Sequence, residues 1–225
     1  MIQHVYERVS RASSVDEVVV ATDDQRIIEA VERFEGRAVM TSATARSGTD
    51  RVAEIARARH AQVVINVQGD EPLVHPSMID QLAEFLERHS AVPMASLMTP
   101  LKRMEDLNTP NIVKVVVDRD GFALYFSRAA IPFERPNAPT PQRMSHCYKH
   151  LGIYGYQRHF LLQFPHLEPT PLEQIEQLEQ LRALEHGYRI KLLETVRDSI
   201  GVDTPEDLQR VEQLLASGRG VTSDK

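Results

Sequence analysis

A chain of 225 residues and 25.5 kDa is long enough to bury a full core without metal or disulfide staples, and its 42% apolar and 26% charged residues are those of a folded globular protein. The single cysteine, Cys147, can form neither an internal disulfide nor a cysteine-based metal cluster, which points to a reducing cytoplasm. A net charge of −6 argues against a broad nucleic-acid surface, and no apolar run approaches the roughly eighteen residues that cross a bilayer.

Taken in chain order, β-branched runs alternate with helical patterns. Residues 2–12 read as a helix with Val5 and Val9 on its apolar face. Residues 17–22 form a strand, after which Asp23 or Asp24 caps a helix that places Ile27, Ile28, Val31 and Phe34 inward and ends at Gly36. A short strand (37–41), a polar loop (42–49) and a helix (51–60) repeat the unit. Residues 62–67 are nearly continuous in apolar side chains, as for a central parallel strand covered on both faces, and run into Gln68-Gly69-Asp70-Glu71-Pro72. In open α/β sheets, ligands bind outside such strand ends.

Ser77 is placed as the cap of a helix carrying Ile79, Leu82, Phe85 and Leu86, and residues 94–98 return as a strand. Residues 111–118 and 122–127 flank Asp120-Gly121 and read as a hairpin. Four prolines make 132–144 an irregular loop, followed by a strand over 148–156. Thr170-Pro171-Leu172-Glu173 has the form of a capping box opening a helix to about His186, with a last strand at 188–194. Asp203-Thr204-Pro205 opens a final helix through Leu215, and 217–225 should fray. The sum is a single α/β domain over residues 1–225, with a mostly parallel sheet and an antiparallel excursion at about 112–156.

Several polar residues fall where chemistry is done. Asp70 follows a strand end directly and suits a hard cation, although a turn aspartate bonding its own backbone has the same pattern. Asp203 reads as a helix cap or as a second carboxylate for the same ion. Arg46-Ser47-Gly48-Thr49-Asp50-Arg51 joins hydroxyls and two cations to a helix N-terminus, which fits either an anion or base edge or a plain Ser/Thr-capped start. The two-residue strand period sets His150, Gly152 and Tyr154 on one face. Glu176, Glu179 and Gln180, at i, i+3 and i+4, make one polar helix face, which solvent alone could explain.

In order and wording, VATDD (20–24), SGTDR (47–51), NVQGDEP (66–72), NIVKVVVD (111–118), ALYFSRAAIP (123–132), HLGIYGY (150–156), PLEQIEQLEQLR (171–182) and GVDTPEDL (201–208) resemble the cytidylyltransferases that make CMP-Kdo, Kdo being 3-deoxy-manno-octulosonate. The resemblance implies a Rossmann-like nucleotidyltransferase fold, a cytoplasmic homodimer, a magnesium cofactor, and transfer of a cytidylyl group from CTP to the C2 hydroxyl of Kdo with loss of pyrophosphate, for lipopolysaccharide biosynthesis. Carried onto matching positions, it implies that Asp70 and Asp203 hold the metal on which catalysis depends. Arg46, Ser47, Gly48, Gln68 and Asp70 become the nucleotide contacts. Arg51, Gln68, Arg128, His150, Tyr154, Glu179 and Gln180 become the sugar-acid pocket, whose guanidinium, amides, phenol, imidazole and carboxylate match the hydroxyls and carboxylate of Kdo.

The family opens with a strand and a basic Gly/Pro loop that cradles the triphosphate, and the resemblance here begins at the helix that follows it. A polypeptide of this extent is therefore expected to be catalytically crippled and less stable. Two other readings remain: a cytidylyltransferase for a related sugar acid, and a non-catalytic homologue that keeps the fold without turnover.

Overall fold

The structure, a computed structural model, describes residues 1–135, 146–202 and 204–217. Helix α1 (Ile2–Val9) buries Val5 and leads to β1 (Val20–Thr22), α2 (Gln25–Glu32) and β2 (Ala38–Met40). Asp24 caps α2, its side chain accepting from the Arg26 amide at 2.8 Å. Helix α3 (Gly48–Arg57) begins inside the expected polar loop, because Ser47 takes the cap position and accepts from Asp50 N. Then come β3 (Val63–Asn66), α4 (Pro76–Arg88) and β4 (Met94–Pro100). The cap of α4 is His75, with Pro76 at the first helical position, and not Ser77; the imidazole accepts from Ser77 N.

Helix α5 (Met104–Asn108), unanticipated in the sequence, precedes the hairpin of β5 (Lys114–Val117) and β6 (Ala123–Ser127). The hairpin forms as expected. Gly121 sits at φ +74, and the Asp118 carboxylate accepts from the amides of Asp120 and Phe122 at 2.9 and 2.8 Å. Strand β7 (Tyr148–Gln157) runs straight into α6 (Arg158–Gln163) and a 3-10 turn at Phe164–His166. The helix expected over 171–186 is two helices, α7 (Pro171–Glu176) and α8 (Gln180–Glu185), interrupted where Gln177 turns left-handed at φ 54. Strand β8 (Ile190–Glu194) and α9 (Pro205–Ala216) complete the order. Thr204, not Asp203, caps α9; Asp203 and most of the proline-rich loop, residues 136–145, lie outside the described residues, as do 218–225.

Strands β1 and β2 pair in parallel, and β4 pairs in parallel with β8. Strand β7 runs antiparallel to β3, β4 and β5, and β5 is antiparallel to β6, so the excursion at 112–156 is woven through the larger sheet. Two apolar layers sandwich that sheet. Ala53 and Ala56 of α3 join Phe160, Phe164, Tyr156 and Met94 in one, and Met78, Ile79, Leu82 and Leu86 of α4 join Val5, Leu97 and Ile153 in the other.

The central, doubly covered strand is β4, six of whose seven residues are buried, and not β3. Strand β3 keeps only Asn66 buried, because β7 pairs with one of its edges and its other edge faces a cavity of about 710 Å3. The far wall of that cavity is residues 14–21, leading into β1; α1 and α3 flank it.

Candidate active site

The chain leaves β3 through a turn in which Glu71 N donates to Gln68 O, placing Asp70 at the strand end. Residues 198–202 are strapped across this turn. Val202 N donates to Asp70 O at 2.9 Å, Ser199 Oγ donates to the Glu71 carboxylate, and Lys149 Nζ donates to Asp198 Oδ1 and Ser199 O, both at 2.8 Å. Burial pushes the Glu71 carboxyl upward against the pull of the Ser199 hydroxyl. Segment 198–202 so pinned leads directly to Asp203.

The Ser47–Gly48 start of α3 lies against the same turn. A Cβ on Gly48 would make ordinary van der Waals contact with Gln68 Oε1 at 3.7 Å, so the loop faces the Gln68 amide across about one side chain's thickness. Arg46 leans away, its Nη2 donating to Pro165 O at 2.9 Å. Arg51 is held at the ends of β1 and β2, donating to Asp23 Oδ2 at 2.6 Å and to Thr41 Oγ1 and Ser42 O at 3.0 Å. Gly48, Arg51, Gln68 and Gly69 line one end of the cavity beside β3.

Strand β7 carries the next group. The β4–β7 register shifts between Ser96 and Leu97: Ser96 pairs with Tyr154 and Leu97 with Leu151, which leaves a bulge at Gly152–Ile153. His150 and Tyr154 stay together across it, ring centroids 5.4 Å apart, as the strand period requires. Ser96 Oγ spans the bulge, 3.1 Å from Leu151 O, 2.8 Å from Ile153 O and 2.8 Å from His150 Nε2. With its one proton directed to a carbonyl, that hydroxyl accepts from His150, fixing the Nε2–H tautomer. Burial lowers the His150 pKa to about 3, so the ring is neutral, and raises that of Tyr154 well above normal, so the phenol keeps its proton.

The α7–α8 break supplies the remainder. Glu179 Oε2 accepts from Thr49 Oγ1 at 2.8 Å, tying this segment to the start of α3. Burial raises the Glu179 pKa, with the Thr49 and Ser47 hydroxyls pulling it back. Gln180 is 3% exposed, and among the described residues its Nε2 has no hydrogen-bond partner, nor has Asn66 Nδ2. Buried donors in that condition belong where a ligand or water completes them. Arg128 donates to main-chain carbonyls: Nε to Glu176 O at 2.8 Å, Nη1 to Pro110 O and Nη2 to Gln177 O at 3.3 Å. Of its five N–H donors, two remain. The expected single polar face of Glu176, Glu179 and Gln180 does not exist, because the left-handed residue turns Glu176 toward β6 and Glu179 toward α3.

Gly48 thus stands against Gln68, two residues before Asp70, and Glu179, bonded to Thr49, is near enough to Tyr154 to act on its phenol. Arg46 and Arg51 are turned to other partners. Sequence reasoning passed over Ser96 and Glu71 and gave Lys114 no place in the site. Ser96 and Lys114 each stand as a lone polar residue in an apolar strand, which is a readable signal. Lys114 is fully buried and donates from Nζ to the carbonyls of Thr109, Ile112 and Arg128 at 2.9, 2.6 and 2.6 Å. Burial lowers its pKa.

No cluster of three or more His, Cys, Asp or Glu that could cage a metal occurs among the described residues. Magnesium with a nucleotide takes one or two protein carboxylates and completes its shell with phosphate oxygens and water. Asp70, a hard oxygen donor at a rigid strand end, fits that role.

The model of a cytidylyltransferase family matches residues 1–192. The 3-deoxy-manno-octulosonate cytidylyltransferase of Geotalea uraniireducens is 52% identical over 221 residues, covering 96% of this chain and 88% of that protein; its counterpart in Geobacter sulfurreducens is 51% identical over 221 residues, with the same coverage. A solved CMP:2-keto-3-deoxy-manno-octonic acid synthetase in complex with CTP superposes with a TM-score of 0.88 at 41% identity, covering 96% of this chain and 87% of that one. At 16% identity and a TM-score of 0.61, a 4-diphosphocytidyl-2C-methyl-D-erythritol synthase from Anaerococcus prevotii shares the fold, over 96% of this chain and 86% of its own. The α/β fold and these likenesses together place the chain in the 3-deoxy-manno-octulosonate cytidylyltransferase family.

Proposed function

We propose that this protein transfers the cytidylyl group of CTP to the C2 hydroxyl of 3-deoxy-manno-octulosonate, releasing pyrophosphate. The observation that carries the reading is the Glu179–Thr49 hydrogen bond, which joins the segment bearing Glu179 and Gln180 to the Ser47–Gly48 start of α3 beside Gln68 and Asp70. Two substrates that must react are thereby given adjoining sites.

Ser47, Gly48 and the Gln68 amide receive the nucleotide, with Arg46 at the loop's outer side. Gln68, Arg128, His150, Tyr154, Glu179 and Gln180 receive the sugar acid, and Arg51 supports the loop from the ends of β1 and β2. His150 and Tyr154 bind and orient; the neutral imidazole, held in one tautomer by Ser96, is no proton carrier near neutral pH. Gln180 Nε2 offers an unspent donor to a sugar hydroxyl. Asp70 and Asp203 would hold magnesium, which when bound neutralises charge at the α-phosphate. No protein nucleophile is required, since the work is positioning and charge stabilisation.

The same reading makes the protein a cytoplasmic homodimer serving lipopolysaccharide biosynthesis. Leu124 and Phe133, 62% and 77% exposed in the antiparallel excursion, supply apolar surface for self-association. Pyrophosphate release from CTP, 3-deoxy-manno-octulosonate and magnesium tests the activity. Turnover that requires all three supports it; binding of both substrates without pyrophosphate favours the non-catalytic reading, and turnover only with another sugar acid favours the related enzyme.

A further inference from the structure

Gln177 has a side chain that does not favour the left-handed region, yet it stands at φ 54, ψ 52 with no glycine or asparagine to ease the turn. What surrounds it explains how the conformation persists. The carboxylate of Glu176, the last residue of α7, accepts from Ser127 Oγ at 2.6 Å, from Arg128 N at 2.9 Å and from Tyr125 OH at 3.3 Å, all on or next to β6. Arg128 returns two bonds, to the carbonyls of Glu176 and Gln177. Lys114 fixes the Arg128 carbonyl from β5. The break is therefore stapled to the sheet by both side chain and main chain. Two and three residues beyond it stand Glu179, bonded to Thr49, and Gln180, buried with an unpartnered amide nitrogen. A continuous helix would carry them on the face of Glu176; the left-handed residue redirects Glu179 toward α3 and leaves Gln180 buried off that face.

We infer that Glu176 is a positioning residue: its carboxylate, with Arg128, holds the left-handed break at Gln177 and thereby aims Glu179 and Gln180 at the hydroxyls of the sugar acid, an inference that rests on the sugar-acid reading above. Glu176 touches no substrate in this scheme. Its loss is felt chiefly by the sugar acid and only through the Glu179–Thr49 bond by the nucleotide, whose direct contacts lie on the loop before α3 and the turn after β3.

The test uses the full chain and three variants, Glu176→Gln, Glu176→Ala and Glu176→Ala with Gln177→Gly, titrated separately with CTP and with 3-deoxy-manno-octulosonate by calorimetry in the presence of magnesium. Glu176→Ala weakens the sugar acid at least about tenfold, the scale of one misplaced charge-assisted hydrogen bond, while CTP affinity stays within about twofold. Glu176→Gln, which keeps an acceptor, falls between. Adding Gln177→Gly recovers at least about threefold of the sugar affinity, because glycine enters the left-handed region without help. Equal losses for both ligands, or no recovery with glycine, overturn the inference. Amide resonances of Gln177, Leu178, Gln180 and Thr49, read without any ligand, separate it from the functional reading. If they move in Glu176→Ala while the parent chain binds no sugar acid, the positioning stands and the choice of sugar falls; if they do not move, the positioning itself is refuted.

Discussion

His150 offers the sharpest physical test, because its ring is buried between Phe126, Tyr154 and Ser96, and among the described residues no carboxylate is bonded to it to stabilise a charge. In the unfolded chain it takes up a proton near pH 6.5; in the folded chain it does so only near pH 3. The folded pKa lies below the unfolded one, so stability is lost as pH falls through the unfolded value and goes on falling until the folded value is reached. Each pH unit inside that window costs about 1.4 kcal/mol, so descent from about pH 6.5 to about pH 5 removes about 2 kcal/mol through this residue. Glu71 and Glu179, whose pKa values burial raises, act oppositely: their contribution is present at low pH and fades as pH climbs through their folded values. The measurement is consequently a difference. Urea unfolding followed by circular dichroism at about pH 7 and about pH 5, on the parent chain and His150→Gln, should show the parent losing about 2 kcal/mol more than the variant. Parallel losses would mean that His150 is not held neutral, and the tautomer assigned through Ser96 would fall with it.

In a version of the protein that carries the strand and basic loop with which the family opens, Asp70→Asn should lower pyrophosphate release by at least about two orders of magnitude through the metal, and turnover near that of the parent refutes the metal assignment. Gly155→Ala should destabilise by about 1–3 kcal/mol in urea titrations, since the new Cβ would stand 2.5 Å from Leu86 Cδ1 and 3.1 Å from Ile65 Cδ1, against a fully buried Leu86. Arg182→Leu should cost about 3–5 kcal/mol by leaving the Glu173 carboxylate, 11% exposed, without its 2.5 Å partner, and a neutral outcome would show that the pair is solvated. Lys114→Met should destabilise by at least about 2 kcal/mol, because three carbonyls lose one shared donor in the interior.

Elements whose information is local were legible. Asp24 before α2, Asp120-Gly121 in the hairpin and Thr170-Pro171 before α7 act through their own backbones, and each formed as its residue types require. Strand β3 was misread because apolar content reports what a strand is able to cover, not which edges find partners. The α7–α8 break escaped notice because Gln177 carries no left-handed signature, and the bonds that keep it there come from β6, some fifty residues earlier in the chain. For the site, family wording singled out Ser47, Gly48, Gln68, Asp70, His150, Tyr154, Glu179 and Gln180; among them the structure sets Gly48 against Gln68 and His150 against Tyr154, and bonds Glu179 to Thr49 two residues beyond Ser47. It could not disclose that Arg51 would be spent on Asp23 or Arg128 largely on carbonyls, since those bonds depend on how separate elements meet.

The two-stranded sheet of β1 and β2 stands apart from the larger one, and an isolated strand pair is only marginally stable in water. It is supported by α2 and α3 and by ion pairs such as Arg37–Glu17 and Arg59–Glu17, which are exposed enough to contribute little. The molecule therefore carries a gradient of opening free energies: the β1–α2–β2 unit opens as a local cooperative block well below the cost of exposing β4, and its amides trade hydrogen for deuterium first. A ligand that held the start of α3 against the end of β3 would stiffen the helix that supports this unit, and protection of the β1 and β2 amides should rise when it binds.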